Sequence, residues 1–592
     1  MPSLPSSEPE HVKEKARREL LDLLEGVRGK KNLVISKDLA GPVGLVVKFS
    51  VLQEYGVDRV FLLETGNVDS SQKNVIFIAR AEKPEQIKLT TEQIRYLQTN
   101  GTEDHEFSIF WTPRRTFLAN QILEDEGITG DVNVYEYPFY FFPLEDDVLS
   151  LELADSFGEI YLHQDPNSIH LASKALMQIQ MRHGLFPKII GQGDNARALA
   201  DQLLRMRKEV DAEETSGLSD TSRRGLVTSP TIEALIVIDR SVDFATPLMS
   251  QLTYEGLIDE LYEITNNQIE VDSTIIGATA ATANTPTSNT SKKKKVQLDS
   301  SDKLFAQLRD ANFAIVGGLL NKVARRLESE YERRHNAKST SELRDFVNKL
   351  PAYQAEHSSL KIHTDIAEEV MRHTRSDVFR KELEIQQNIA AGADAIYQHD
   401  KVEELISRDV PLESTLRLLC LESCFCGGLR PKDLELFKRQ ILQAYGYQHL
   451  LTLDALEKMG LLQSRSSPTV LLLPTGGGTG DLKTNYAYLR KSLRLIMDEV
   501  DEQDPNDVAY VYSGYAPLSI RLVQCALQGP YLQSLVKGGP PPTEANPPNL
   551  LARSWSGFEN VLRSARGATF NVSQLSDEKI LRARQTLTGD KE

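Results

Sequence analysis

A chain of 592 residues is longer than one hydrophobic core serves, so roughly two to four domains are expected. Hydrophobic residues make up 40% and charged ones 26%, the balance of a soluble globular protein rather than of a disordered or membrane-spanning one. With 68 Lys and Arg against 84 Asp and Glu, the net charge of −16 argues against general nucleic-acid binding, which needs a basic face. The four cysteines, Cys420, Cys424, Cys426 and Cys525, are too few for a disulfide framework and indicate a reducing compartment. Met1 to Arg18 carries no apolar signal region, and no run reaches the ~20 apolar residues of a membrane span, so a cytoplasmic protein is expected.

Residues 10–25 read as a charged amphipathic helix. Short apolar runs then alternate with helical patterns at Leu33–Ile35, Val60–Leu63, Val75–Ile78, Phe107–Phe110 and Val132–Val134, which predicts a parallel sheet covered by helices and closing near residue 150. Residues 151–208 look mostly helical, with a brief strand at Lys188–Ile190. Ala234 to Ile238 is a continuous apolar run ending at Asp239, the pattern of a strand buried on both faces. Thr246-Pro247 reads as an N-cap followed by proline at the first helical position. From about 266 to 301 the chain is rich in Thr, Ala, Asn and Ser and contains Lys292–Lys295; a disordered loop is expected there.

Residues 302–465 are almost wholly helical in pattern. Ser339 and Glu342 form a capping-box pair ahead of a helix carrying Leu343, Phe346, Val347 and Leu350, which Pro351 is expected to end. A longer helix begins near Ser359, with Leu360, Ile366, Val370 and Met371 on one stripe, so a helical hairpin interrupted at Leu350-Pro351 is predicted. The strand pattern returns at Thr469–Leu473 and Val508–Tyr512, so the α/β region resumes after a helical insertion.

Several stretches resemble reactive motifs. Asp239, Arg240 and Asp243 sit past the end of a strand, where open α/β sheets bind ligands. The two acids are too widely spaced for a phosphatase-type metal pair, and the plainer reading has them accepting backbone hydrogen bonds and pairing with Arg240. Gly191-Gln192-Gly193-Asp194-Asn195-Ala196 matches a dinucleotide loop but lacks the acidic strand end that should follow, which favours an ordinary strand–turn–helix connection. The loop from Gly476 to Thr484 puts Asp481 and Leu482 between Gly480 and Lys483, which breaks the phosphate-loop spacing. Cys420 and Cys424, among leucines, read as core thiols. No zinc spacing, no G-x-S-x-G and no H-E-x-x-H occurs. No cofactor or catalytic residue is implied.

The segment Asp239-Arg240, Asp243, Thr246-Pro247-Leu248, Thr253-Tyr254 and Asp259-Glu260 resembles the signature of the Sec-one/Munc-eighteen (SM) family of membrane-fusion proteins. Lys37 to Pro42 with Tyr55-Gly56-Val57, Phe142 to Asp147, and Ser513 to Ser519 agree, so the resemblance spans nearly the whole chain. Its wording is most similar to the vacuolar-protein-sorting branch, the SM subunit of the HOPS and CORVET tethering complexes. The resemblance implies an α/β fold built as a three-domain arch. Two domains would be parallel-sheet α/β units, residues 1–150 and a discontinuous 151–264 with 466–592. A large, mostly helical domain, 265–465, would be inserted into the second.

It further implies binding of SNARE proteins without catalysis, through a hairpin at about 302–390 whose Leu350-Pro351-Ala352-Tyr353-Gln354 matches the family segment. A SNARE helix needs an apolar groove with a polar rim. Leu343, Phe346, Val347 and Leu350 are the groove candidates and Arg344, Lys349 and Lys361 the rim, with Pro351 and Tyr353 of the matching segment as further candidate contacts. Internal packing of the hairpin is the competing role for the apolar residues, and Pro351 reads either as a hinge or as a fixed helix end. The resemblance also implies a helical tether partner, peripheral placement at vacuole, lysosome and late-endosome membranes, and membrane contact only through partners. Two other classes remain open: a nucleotide-dependent enzyme using the Gly476 loop, and a scaffold that never touches SNAREs.

Overall fold

The computed structural model describes residues 8–65, 68, 71–100, 105–215, 226–272, 293–335, 340–394, 396–465, 483–528, 532, 555 and 558–574, without the side chains of 8, 9, 65, 100, 213–215, 330–335 and 340–349. Contacts divide the chain into two units: 1–154 with 264–269 and 295–300, and 155–263 with 270–294 and 301–592. Most of the residues expected to form a second and a third domain fall in the second unit, while 151–154, 264–269 and 295–300 group with the first.

The first unit holds a five-stranded sheet of β1 (Lys31–Ile35), β2 (Val57–Leu62), β3 (Asn74–Arg80), β4 (Glu106–Thr112) and β5 (Val132–Glu136). Its order is β2-β1-β3-β4-β5, and every pairing is parallel. Side chains alternate between two cores, as the two-residue period of a strand requires. Leu33, Ile35, Ile76, Ile78 and Phe110 pack with the helices Glu8–Gly26 and Lys37–Val46. Val34, Phe77, Ala79, Ile109 and Trp111 pack with Pro84–Asn100 and Phe117–Asp125. Continuous apolar runs mark these strands because both faces are buried. The edge strand β5 is mostly exposed, so its signal is shorter. An antiparallel pair, β6 (Phe142–Glu145) and β7 (Val148–Ser150), follows.

The second unit contains β8 (Lys188–Gln192) and β9 (Leu235–Ile238), which pair in parallel. The last strand of the chain, β12 (Thr569–Ser573), runs antiparallel to β8, so residues from both sides of the helical stretch share one sheet. That sheet is mixed, not parallel as expected. β9 is half-exposed throughout rather than buried on both faces, because among the described residues it pairs on one side only. The helices Asn167–His183 and Asp194–Thr215 cover this sheet.

The ends of the segment expected to be disordered form a two-stranded ribbon, β10 (Gln268–Asp272) with β11 (Lys293–Gln297). Its alternating buried positions Ile269 and Val271, with Val296, supply the burial that composition alone did not reveal. Residues 273–292 lie outside the described residues, as do Ser339, Thr469–Leu473 and the loop from Gly476 to Leu482.

Val508–Tyr512 is a 3-10 helix, not a strand. The Asp507 side chain accepts from the Ala509 N–H at 2.9 Å, and Ser513 turns the chain at φ 46°. That local capping outweighs the β-preference of the apolar run. Thr246–Leu248 is likewise a single 3-10 turn with Ala245 at its cap, so Thr246 is not the N-cap read from the sequence.

The hairpin pairs the helix Phe313–His335 with the helix Thr340–Thr374. The second runs unbroken through Pro351, which overturns both the expected break there and a separate helix starting near Ser359. An internal proline costs one backbone hydrogen bond and crowds the carbonyl of Val347. Pro351 is solvent-exposed, so its ring displaces no packed neighbour. An Arg326–Glu356 ion pair bridges the two helices nearby.

Candidate functional site

The signature segment is built around two buried carboxylates. Asp239 closes β9 and accepts from the backbone N–H of Ser241 at 2.9 Å and of Asn195 at 2.8 Å, while Tyr161 donates its hydroxyl to it. Asn195 lies in the first turn of the helix that follows β8. The helix N-terminus that would receive a phosphate in a dinucleotide fold is therefore occupied by the protein's own carboxylate. Gly193, at φ 106°, permits this approach: a Cβ there would stand 2.2 Å from that of Asp239. The Gly191–Ala196 motif is thus a packing device. In the first unit the Glu64 carboxylate does the same at Lys37, accepting its N–H at 2.9 Å.

Asp243 is fully buried and accepts four hydrogen bonds. Two come from Thr246, the N–H at 3.1 Å and the hydroxyl at 2.7 Å. The others come from the Tyr486 hydroxyl at 2.9 Å and the Ser519 N–H at 2.9 Å. Tyr515 completes the cluster at 3.3 Å from the Thr246 hydroxyl. The opening signature and the late Ser513–Ser519 segment are two halves of one joint. Arg240 does not pair with either carboxylate as expected; it donates to the Asp243 backbone carbonyl at 3.1 Å.

The rest of the signature anchors the hairpin. Thr253 caps the helix Tyr254–Tyr262, accepting from the Gly256 N–H at 3.2 Å. Tyr254, wholly buried, places its hydroxyl 3.0 Å from Nδ1 of His363, itself 1% exposed on the second hairpin helix. His363 Nε2 lies 3.3 Å from Asp302, which also accepts from the Ser359 hydroxyl at 2.6 Å and caps the helix Lys303–Leu308. With Nε2–H donated to Asp302, Nδ1 is left to accept from Tyr254. Burial works against ionisation of Asp302, but the hydrogen bonds from His363, Ser359 and the Phe305 N–H outweigh it and hold its carboxyl well below the usual range. Phe305 stacks on the His363 ring at 5.7 Å. No spacing rule marks this relay in the sequence; its members lie 109 and 61 residues apart.

Of the groove and rim candidates, Leu343, Arg344, Phe346, Val347 and Lys349 lie within the helix Thr340–Thr374, in the part whose side chains are not described. Leu350 and Tyr353 are half-exposed, and Pro351 and Lys361 exposed. In the stripe, Ile366 and Val370 are core residues and Met371 is at the surface.

Cys420 and Cys525 are buried thiols whose pKa burial pushes up to about 12. Cys424 and Cys426 are partly buried, and Cys424 packs against the same core, its thiol pKa raised chiefly by burial. Among the described residues, no group of three or more His, Cys, Asp or Glu side chains is placed to hold a metal ion, and no helix is long and apolar enough to cross a membrane.

Fold and site together define an α/β body whose strand-end carboxylates bind the protein's own backbone and which carries a long anchored helical hairpin. The Sec1 family model matches residues 31–585, and the chain belongs to that family. It is 36% identical over 578 residues to vacuolar protein sorting-associated protein 33A of Rattus norvegicus, covering 97% of this chain and 88% of that one. It is 36% identical over 519 residues to vacuolar protein sorting-associated protein 33 of Schizosaccharomyces pombe, covering 88% and 83%. Among solved structures, the SM protein Vps45 in complex with the Qa SNARE Tlg2 matches with a TM-score of 0.52 at 17% identity, covering 89% of this chain and 86% of that one. The Unc18–syntaxin 1 complex of Monosiga brevicollis matches with a TM-score of 0.54 at 17% identity, covering 87% and 86%. These two likenesses bear on the fold.

Proposed function

We propose that the protein binds SNARE motifs and templates and chaperones their assembly in vesicle docking and fusion. It would do so at the late endosome, lysosome or vacuole, as a subunit of a tethering complex of the HOPS or CORVET type and without catalysis. The observation that carries this reading is the hairpin. Its 35-residue second helix is continuous, rooted through His363 in the body, and exposes Pro351, Ala352 and Lys361 along its described part. A long helix held at one end offers a partner helix a rigid template, which lowers the ordering cost of binding. The two SM relatives solved with SNARE partners support it.

Lys349→Glu combined with Lys361→Glu is expected to weaken binding of an endolysosomal SNARE motif at least tenfold by calorimetry. Unchanged affinity would place the groove elsewhere. Failure of every SNARE motif to bind the unmodified chain would leave the scaffold reading standing.

The tether contact has a candidate in the second unit. Tyr447, Leu450 and Leu451 are 76%, 57% and 77% exposed around the start of the helix Leu450–Lys458. Adjacent large apolar side chains this open mark an interaction surface. Leu451→Asp should abolish co-purification with a helical tether subunit and leave SNARE-motif affinity unchanged; retained co-purification would clear this patch.

A further inference from the structure

His399 stands where three helices of the second unit meet. It lies in the first turn of the helix Ile396–Ser407 and faces the helices Leu412–Cys426 and Pro431–Tyr445. Its side chain is 12% exposed, between Glu422 at 5% and Asp433 at 17%. Nε2 is 3.1 and 3.0 Å from the two Glu422 carboxylate oxygens, and Nδ1 is 4.0 Å from the Asp433 carboxylate. The Phe437 ring meets the imidazole edge-on at 5.1 Å. A neutral imidazole carries one N–H, so it serves one carboxylate and turns a lone pair toward the other; the imidazolium presents an N–H to both. The geometry therefore matches the charged ring.

Other charges nearby are committed elsewhere. Arg430, the opposing cation, donates to Asp433 at 2.5 Å. Asp394, Cys426 and Arg465 line the same solvent-facing depression. There Asp394 accepts from the Ile396 N–H at 3.1 Å, and Arg465 donates to the Gly428 carbonyl at 3.3 Å. On the packed helix Asp377–Ala391, Lys381 meets Glu404 at 2.7 Å and Glu384 meets Lys401 at 2.6 Å, both away from the ring. Burial disfavours the charged ring, yet the hydrogen bond and charge of Glu422, with the charge of Asp433, outweigh burial and the repulsion of Arg430 and raise its pKa.

We propose that His399 is a proton-operated clasp, which holds the three helices together while the ring is charged and loosens the helix Pro431–Tyr445 when the proton leaves. Its folded pKa lies above the unfolded value of about 6.5, so its stabilisation is complete below that value and is lost as pH rises through the folded one. The loosened helix runs directly into Tyr447, Leu450 and Leu451, and its Lys438 pairs with Glu457 of the helix Leu450–Lys458. Control of the tether contact by pH rests on that patch being the contact; the clasp itself does not.

Hydrogen exchange on the full chain at pH 6 and pH 8, with times scaled for the intrinsic rate, tests the clasp without any partner. Protection in residues 396–445 is expected to fall at least threefold at the higher pH while the sheet of the first unit keeps its own, and His399→Gln should remove that difference. Equal protection at both pH values in the natural protein, or the same fall in His399→Gln, overturns the proposal. Should His399→Gln not fold, Asp433→Asn, which removes the carboxylate facing Nδ1, should move the loss of protection to lower pH; an unmoved midpoint overturns it equally.

Discussion

Asp243→Ala is expected to cost the second unit about 3–4 kcal/mol, the largest effect of any single polar substitution in the signature. The carboxylate is wholly buried and satisfies four donors, so its removal strands the Ser519 N–H and the Tyr486 hydroxyl away from water. Urea unfolding followed by intrinsic fluorescence measures the loss as a lowered midpoint. Asp201→Ala, in an exposed pair with Arg197, is the control and should change stability by no more than about 0.5 kcal/mol. Equal midpoints for the two variants would show that the joint is not held by Asp243.

His363→Ala is expected to loosen the hairpin at its root, at a cost of about 2–4 kcal/mol, because it opens a cavity beside Phe305 and leaves Tyr254 and Asp302 without their shared partner. Hydrogen exchange should accelerate in residues 359–374 while the sheet of the first unit keeps its protection. Uniform exchange across the chain would contradict a local anchor. Acid should act on the same relay through Asp302. Its folded pKa lies below the unfolded value of about 4, so its contribution is complete above that value and declines as pH falls toward the folded one. Hairpin protection should therefore drop below about pH 4 in the natural protein, and Asp302→Asn should remove that part of the pH dependence. An unchanged acid profile in the variant would assign the loss to other carboxylates.

The legible parts of this chain were those encoded over short distances. β1, β3 and β4 were readable because both faces of the sheet are buried, and a doubly buried strand is apolar without interruption. The strand–turn–helix role of Gly191–Ala196 was readable from the acidic partner it lacked, and Gly193 against Asp239 supplies the reason for its glycine. Val508–Tyr512 was misread because its apolar run matches a strand while Asp507 and Ser513, just outside it, dictate a 3-10 turn. Pro351 was misread because a proline's local cost was counted without the length of helix on either side and without its exposure. β12 gave little warning: at the edge of its sheet it alternates weakly, and its partner β8 lies hundreds of residues earlier.

Read alone, the chain specified its class, the sheet of its first unit and the residues of a family signature, because hydrophobic period and turn chemistry are properties of neighbouring residues. It left open what the signature residues do. Asp239 caps a neighbouring helix, Asp243 reaches Ser519 across 276 positions and Tyr254 reaches His363 across 109. Those partners were selected by packing: a buried polar group must find a donor or acceptor wherever the fold brings one, and sequence spacing carries no record of which one arrives.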